Sequence, residues 1–471
     1  MKRFTLAVCL ILAADLSCAA DRLDKLTLEQ AVQLALQNHR SLDVSQAAIA
    51  MAEAQYQQAM AAFRPHVDLS AGIQRADQER TFNFAGTVTT PVMNIPLPPQ
   101  LGGGAIPVPS QPLPMNLKVK LYDRDVAQGS INLSYPLYTG GKKEALIGLA
   151  DKGRDIAREE KRKTELEVVH DVRKYYSGAL FARQMEQLGS DTLERFQALE
   201  DLTERLYQNA SLKVKKTDYL RSKTTTAMTR SMVQEAKYAT ALSREALANA
   251  MGLPVNMEIS LAPDPAAPAF DGKLDALIQD ALTSNPDKHR LELALQAADH
   301  QIEDALSGGR PTVGIEASSY RIWNNYKDGL VNEDNRAGWT LGVGVKWNLF
   351  DAGLTKAAAD GARASKIRLE AQRALLDNGL ALQVKNDFMR VQRSRAQTDD
   401  SAKACVFAEE NRKLNVRAYQ EEMVETKDVI EAQLVEAFAS AGLYSAQHEL
   451  RQALADLDFQ VGRALQVKTR E

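Results

Sequence analysis

Cysteine is nearly absent from this 471-residue chain. Cys9 and Cys18 lie within the first twenty residues, and Cys405 stands alone after them. A single remaining thiol excludes an intrachain disulfide framework. Long hydrophobic runs are missing too: after residue 20 no stretch reaches 18 apolar residues, so nothing reads as a membrane-crossing helix. Neither charge sign dominates, with 58 Lys and Arg against 61 Asp and Glu. That balance offers no footprint for nucleic acid. The six histidines (39, 66, 170, 289, 300 and 448) show no HxxxH or HExxH spacing. The glycine runs at 102–104 and 342–345 are not followed by GK[ST]. No metal site, phosphate cradle or catalytic constellation is legible, so the expectation is a non-enzymatic protein without cofactor.

What is present begins with MKRFTLAVCLILAADLSCAA, residues 1–20. Lys2 and Arg3 form a basic start, and Phe4 to Ala14 form an apolar run too short to span a bilayer. Small residues allow cleavage after Ala19 or Ala20. Cys18 raises lipidation, but Asp15 stands where an aliphatic residue is wanted, and simple export is the better reading. An exported chain without a membrane helix is either soluble or part of a β-barrel.

The chain is written twice. Residues 28–72 align with 274–318 at a constant offset, Ala35-Leu36 meeting Ala281-Leu282 and Arg64-Pro65 meeting Arg310-Pro311. After each proline the apolar residues alternate: Val67, Leu69, Ala71 and Ile73, then Val313, Ile315 and Ala317. A second alternating stretch follows in each half, INLSYPLYTGG at 131–141 and VGVKWNLFDAG at 343–353. Period-two alternation predicts strands with two different faces. Each half therefore reads helix, proline break, strand, loop, strand, helix. The halves are 21–260 and 274–471, joined by a proline-rich linker at 261–273.

Past each second strand the chain loses proline and becomes rich in Ala, Leu, Glu, Lys and Arg, which reads as helix. Gly141 to Tyr207 and Gly353 to Tyr419 span equal lengths, each about 100 Å of helix at ~1.5 Å per residue. The returning helices, Asp218 to Gly252 and Asp428 to Gly462, are also equal and about half as long. A helix of about 36 residues starting near Leu28 or Leu274 supplies the missing half. Each long helix then pairs with two shorter ones stacked end to end. Leu193, Phe196, Leu199, Leu202 and Leu206 keep the spacing of a helix packed along its length.

Four strands cannot close a barrel, and their edges demand partners. Oligomerisation supplies them. Tyr135, Tyr138, Trp347 and Phe350 lie near one end of their strands, as in the aromatic girdle of an outer-membrane barrel. The competing reading is a small soluble sheet with aromatic core residues; the export segment and the duplication favour the barrel.

With these residues in view, the sequence resembles the TolC family of outer-membrane efflux proteins over nearly the whole mature chain. The carriers are LTLEQAVQLALQN with AAFRPHVDLS, SYPLYTGGKKEA, LDALIQDALTSNP with GGRPTVGIEAS, WNLFDAGLTKAAA, and DVIEAQLVEAF ending in DLDFQVGRAL. The resemblance implies a homotrimer whose 12-stranded outer-membrane barrel continues into a long α-helical periplasmic tunnel. It further implies a passive export duct for small molecules or proteins, working with a periplasmic adaptor and an inner-membrane pump, in an efflux or type I secretion system. The implied pore constriction lies where the returning helices begin, at Asp428, Glu431 and the first-half counterpart Asp218. Asp428 as helix N-cap with Glu431 as its capping-box partner is the alternative. The implied adaptor-contact region is the helix turns, with Tyr207, Lys213, Lys215 and Lys216 in one half and Tyr419, Glu422 and Glu425 in the other. Ala210 and Glu422 stand where the family usually carries glycine. Residues 85–117, within an exterior loop at 77–127, hold eight of the 16 prolines, and the expectation is a stretch that forms neither helix nor ladder. The alternative function is a trimeric surface adhesin or structural coiled coil, which has no need of a doubled strand-helix plan.

Overall fold

The computed structural model describes residues 22–99, 104–122, 124–209, 214–254, 257–262, 270–324, 335–421 and 423–463. The expectations on residues 1–20, on Ala210, Lys213 and Glu422, and on most of the linker lie outside these residues. In chain order the elements are β1 (Arg22–Leu26), α1 (Leu28–Asn38), α2 (Arg40–Ala61), β2 (His66–Arg75), β3 (Arg80–Thr89), β4 (Met93–Leu97), β5 (Gly104–Val108), β6 (Pro112–Tyr122), β7 (Asp125–Tyr138), α3 (Lys142–Gln208) and α4 (Lys216–Ala250). The second half continues with β8 (Glu258–Leu261), α5 (Leu274–Ser284), α6 (Pro286–Ser307), β9 (Thr312–Asn324), β10 (Ala337–Lys346), α7 (Leu354–Gln420) and α8 (Thr426–Val461). The chain divides into a strand-bearing unit, Gln57–Gly148 and His300–Arg363, and a helical unit, Met1–Tyr56, Leu149–Asp299 and Ala364–Glu471.

In the strand-bearing unit one antiparallel sheet runs β10-β9-β7-β2. Its register carries the alternation across all four strands. Val67, Leu133, Ala317 and Leu341 form one row, and Leu69, Ile131, Ser319 and Trp339 the next. The opposite face holds Asp68, Asn132, Ser318 and Thr340, then Ser70, Ser130 and Tyr320. There the hydroxyls of Ser70 and Ser130 lie 2.8 Å apart, as do those of Ser318 and Thr340. A slip of one residue would exchange the two faces, so the alternation itself fixes the register. Because neighbours are antiparallel, β7 and β10 end on the same side of the sheet, and both lead into helix there.

The change from strand to helix needs left-handed backbone. Gly140 and Gly141 adopt φ +67° and +92°. A Cβ on Gly140 would lie 2.8 Å from the Arg310 Cβ, so only glycine fits. In the second half Ala352 takes φ +54° before Gly353 at +90°. Asp351 supports this strained alanine: its carboxylate accepts from the Gly353 N–H at 2.9 Å and the Thr355 N–H at 2.8 Å.

The proline-rich stretch corrects the sequence expectation. It forms two antiparallel ladders, β3 with β6 and β4 with β5, joined where the Thr90 N–H donates to the Gln111 carbonyl at 3.1 Å. A two-stranded ribbon leaves every second N–H of each strand outside the ladder, where proline costs no hydrogen bond. Pro112 and Pro114, two apart, satisfy that spacing.

Lengths in the helical unit follow the arithmetic: α3 and α7 have 67 residues each, α4 has 35 and α8 has 36. The expected 36-residue helices are instead broken in two. His39 (ψ 120°) and Asn285 (ψ 126°) leave the helical region, the latter because it precedes Pro286. At each break a left-handed glycine comes close. A Cβ on Gly252 would lie 2.6 Å from the Asn38 carbonyl oxygen, and one on Gly462 2.9 Å from that of Ser284. The ends of α4 and α8 therefore pack into the two breaks. Beside them β1 and β8 form a small parallel pair that the sequence did not announce.

End-to-end pairing of short helices along the long ones holds. Along α3, Glu53 of α2 accepts from Arg154 at 3.3 Å, and further on the Thr226 hydroxyl of α4 donates to the Phe196 carbonyl at 3.2 Å. Along α7, Asp299 of α6 accepts from Lys366 at 2.6 Å, and Asp456 of α8 from Arg390 at 2.7 Å. Helix α8 also binds α3. Glu436, only 7% exposed, lies 2.6 Å from both Arg195 of α3 and Arg412 of α7. Asp456 likewise meets His170 of α3 at 2.8 Å while holding Arg390. Phe196, Leu199, Val429 and Ile430 close an apolar cluster at the far end of these helices.

Gly462→Ala should lower the apparent melting temperature of the detergent-solubilised protein, by an amount corresponding to about 1–2 kcal/mol. Ala352→Gly should raise it by the equivalent of up to about 1 kcal/mol. Reversed signs would refute the strain assignment. A second expectation concerns pH. Asp171 and Asp456 raise the His170 pKa from 6.5 to about 9. Its contribution is then complete below pH 6.5 and lost as pH rises through about 9. The melting temperature should fall over that window, and His170→Gln should flatten the dependence.

Candidate functional site

The helix starts at the turns are built alike. Asp218 is the third residue after the N-cap of α4, and its carboxylate accepts from the Lys215 N–H at 3.0 Å. Asp428 does the same for Glu425 at the start of α8, at 2.9 Å. The alternative capping register is thereby corrected: Glu425, not Asp428, is the N-cap, because the helix already begins at Thr426. An acidic third residue satisfies an orphan donor and complements the helix dipole. Glu431, one turn further on, is exposed and makes no such bond among the described residues. Asp428 and Glu431 share a helix face by their spacing of three.

Tyr207 and Tyr419 occupy matched places, each next to last in its 67-residue helix. Their partners differ. Tyr207 stacks on Tyr219 with centroids 5.6 Å apart and planes 4° apart, and the Tyr219 hydroxyl donates to Glu204 at 3.2 Å. The Tyr419 hydroxyl lies 3.1 Å from that of Thr426. Lys215, Lys216 and Glu425 are exposed. The charge contrast between a basic first turn and an acidic second turn persists in the described residues.

On the sheet, Tyr138 ends β7 and pairs with Val313, while Trp347 and Phe350 follow the end of β10. Tyr138, Trp347 and Phe350 are 50%, 58% and 86% exposed, and the Trp347 indole N–H donates to the Gly309 carbonyl at 3.0 Å. Tyr135 lies on the apolar face opposite Ile315. Sequence reasoning missed Trp323 and Trp339, which occupy the same face toward the opposite end of the sheet. Their parity with Ala317 and with Val343 was the available signal. It also missed the Glu436 and Asp456 bridges, which involve residues far apart in the chain. Among the described residues no group of three or more His, Cys, Asp or Glu is arranged to hold a metal, and no helix is long and apolar enough to cross a membrane.

Several solved structures share this fold. The outer membrane protein VceC from Vibrio cholerae is 17% identical with TM-score 0.71, covering 92% of this chain and 96% of its own. The CmeC outer membrane channel of Campylobacter jejuni is 14% identical with TM-score 0.73, covering 93% and 86%. The open state of the Neisseria gonorrhoeae MtrE outer membrane channel is 16% identical with TM-score 0.70, covering 99% and 97%. A search among curated proteins gives no match. The family model for outer membrane efflux proteins matches residues 31–253 and 277–463, almost the whole of both halves. A sheet with one apolar and one polar face, feeding two 67-residue helices, is the protomer that such a family requires, and this chain belongs to the outer membrane efflux protein family.

Proposed function

We propose that three copies of this chain close a 12-stranded barrel in the outer membrane and form a passive export duct through it and the periplasm. The observation that carries this reading is the in-register segregation of the four-stranded sheet into an apolar and a polar face, with β2 and β10 at its edges. Lipid covers the first face and water the second. A closed barrel needs the edge of each copy to pair with the opposite edge of the next. A surface adhesin would have no use for a sheet so divided.

The duct takes its cargo from an inner-membrane pump through a periplasmic adaptor that meets the helix turns. Lys215 and Lys216 at one turn and Glu425 at the other give that adaptor two surfaces of opposite charge. Asp428, Glu431 and Asp218 form the acidic ring of the constriction. Capping accounts for Asp428 and Asp218, but it does not account for Glu431. Threefold repetition makes such a ring a cation-binding element. Cargo passes as small molecules or proteins without chemical change.

The detergent-extracted protein should be trimeric by light scattering; a stable monomer in detergent-free buffer would overturn the barrel. For the ring, Glu431→Gln is the cleaner test because it leaves the cap bonds intact. Cation selectivity in planar-bilayer recordings should fall, and block by trivalent cations should weaken, with the trimer still assembled. Unchanged selectivity and block would remove Glu431 from the constriction. Asp428→Asn should in addition weaken the start of α8 by roughly 0.5–1 kcal/mol.

A further inference from the structure

Among the described residues, the apolar face of the sheet carries only three charged residues, Arg75, Asp125 and Arg321. All three lie toward the end of the sheet away from the helix junctions. Arg75 pairs with Asp125 across the ladder, N to O 3.6 Å. That leaves Arg321, which no carboxylate neutralises among the described residues. Its guanidinium carbon sits 5.5 Å from the centre of the Trp323 ring. The indole of Trp323 lies over Gly129, where an added Cβ would be 3.5 Å from the ring. On the other side of Arg321, one row toward the helix junctions, β10 presents Trp339, 76% exposed. An unpaired arginine is thus set against one indole, with a second exposed indole one row away.

The opposite end of the same face is different. Tyr138, Trp347 and Phe350 supply aromatic rings there, and Lys346 belongs to the polar parity with Thr312. From Val313, opposite Tyr138, to Arg321 is about 27 Å of strand, or about 20 Å of membrane height at ordinary barrel tilt. Against an apolar band about 25 Å tall, that distance carries the guanidinium well past the midplane, where it would cost ~2–4 kcal/mol, toward the headgroup boundary, where a cation costs ~0–1 kcal/mol. Two aromatic belts, one with a cation and one without, match two leaflets with different headgroups.

We infer that Arg321, against Trp323 and one row from Trp339, binds the phosphorylated headgroup of an outer-leaflet glycolipid. This rests on the barrel reading, which makes the end away from the helices the exterior one. A planar guanidinium donates two parallel N–H bonds to a phosphate, and the Trp323 ring beneath it restrains it while both indoles offer apolar surface to the acyl chains.

The test is lipid binding to the assembled trimer by native mass spectrometry, with diphosphorylated lipid A, its dephosphorylated form and phosphatidylglycerol as probes. The wild type should bind the diphosphorylated glycolipid at least about tenfold more tightly than the dephosphorylated form. Arg321→Gln should lose that preference, and Arg321→Lys should keep part of it. Equal binding of the two glycolipids by the wild-type trimer, or an unchanged preference in an assembled Arg321→Gln trimer, would overturn the site. Equally tight binding of phosphatidylglycerol would overturn the glycolipid assignment. Should Arg321→Gln fail to assemble, the wild-type comparison and Arg321→Lys still decide. A wild type that is monomeric in detergent would refute the barrel itself, which is a separate outcome.

Discussion

An unpaired N–H or C=O in hydrocarbon costs several kcal/mol, and a four-stranded sheet presents a row of them along each edge. In this chain β2 and β10 are those edges. Most of the strand-bearing unit follows from that constraint. The strands must be straight enough in register to offer complete edges, so the ladders run without interruption over ten residues in β2 with β7 and in β10 with β9. One face must be apolar along its whole height, and the other must tolerate water. Closure must then come from further copies, which makes assembly part of the fold rather than an addition to it.

The helical unit answers a different demand, that long helices lie side by side without a large core. Small residues and β-branched residues fill the seams, as at Ala31, Ala35, Val169, Val172, Ala248 and Ala250. Charge supplies the rest, but unequally. Glu436 and Asp456 of α8 each tie α3 to α7, whereas the first-half counterparts in α4 are Thr226 and Ala246. The duplication of the chain therefore extends to lengths and ends but not to the polar contacts between helices. Helix α8 bridges two long helices, with buried Glu436 and half-buried Asp456 each meeting a cation on both sides. Removing Glu436 would leave Arg195 and Arg412 facing one another without their shared partner.

At the turns the positions proposed for the charged ring are also structural ones. Asp218 and Asp428 are held by the backbone N–H three residues before them, which fixes their carboxylates at the helix starts. A residue used as a cap is thereby oriented, and the same orientation suits a ring of charge around an axis. Glu431 has no such second employment. The aromatic residues divide similarly: Trp347 is anchored by its indole N–H to the Gly309 carbonyl, while Trp339 is largely exposed. One secures the strand-to-helix junction, and the other meets the surroundings.

The sequence by itself determined the doubled plan, the four strands, the alternation of their faces and the lengths of the long helices. These are properties of local spacing, and period two, period 3.6 and the punctuating Gly and Pro carry them directly. It also located Asp218, Asp428 and the aromatic end of the sheet, because those residues sit beside the punctuation. What it left open depended on residues distant in the chain. The break at His39 has no proline to announce it and is visible only through the approach of Gly252 to Asn38. The ladders in the proline-rich stretch depended on which N–H groups face outward, a matter of pairing rather than composition. The Glu436 and Asp456 bridges join residues hundreds of positions apart, and Trp339 comes to lie one row from Arg321 only once β9 and β10 are in register. Spacing along the chain specifies each element, but only the tertiary structure decides which side chains of different elements share one face.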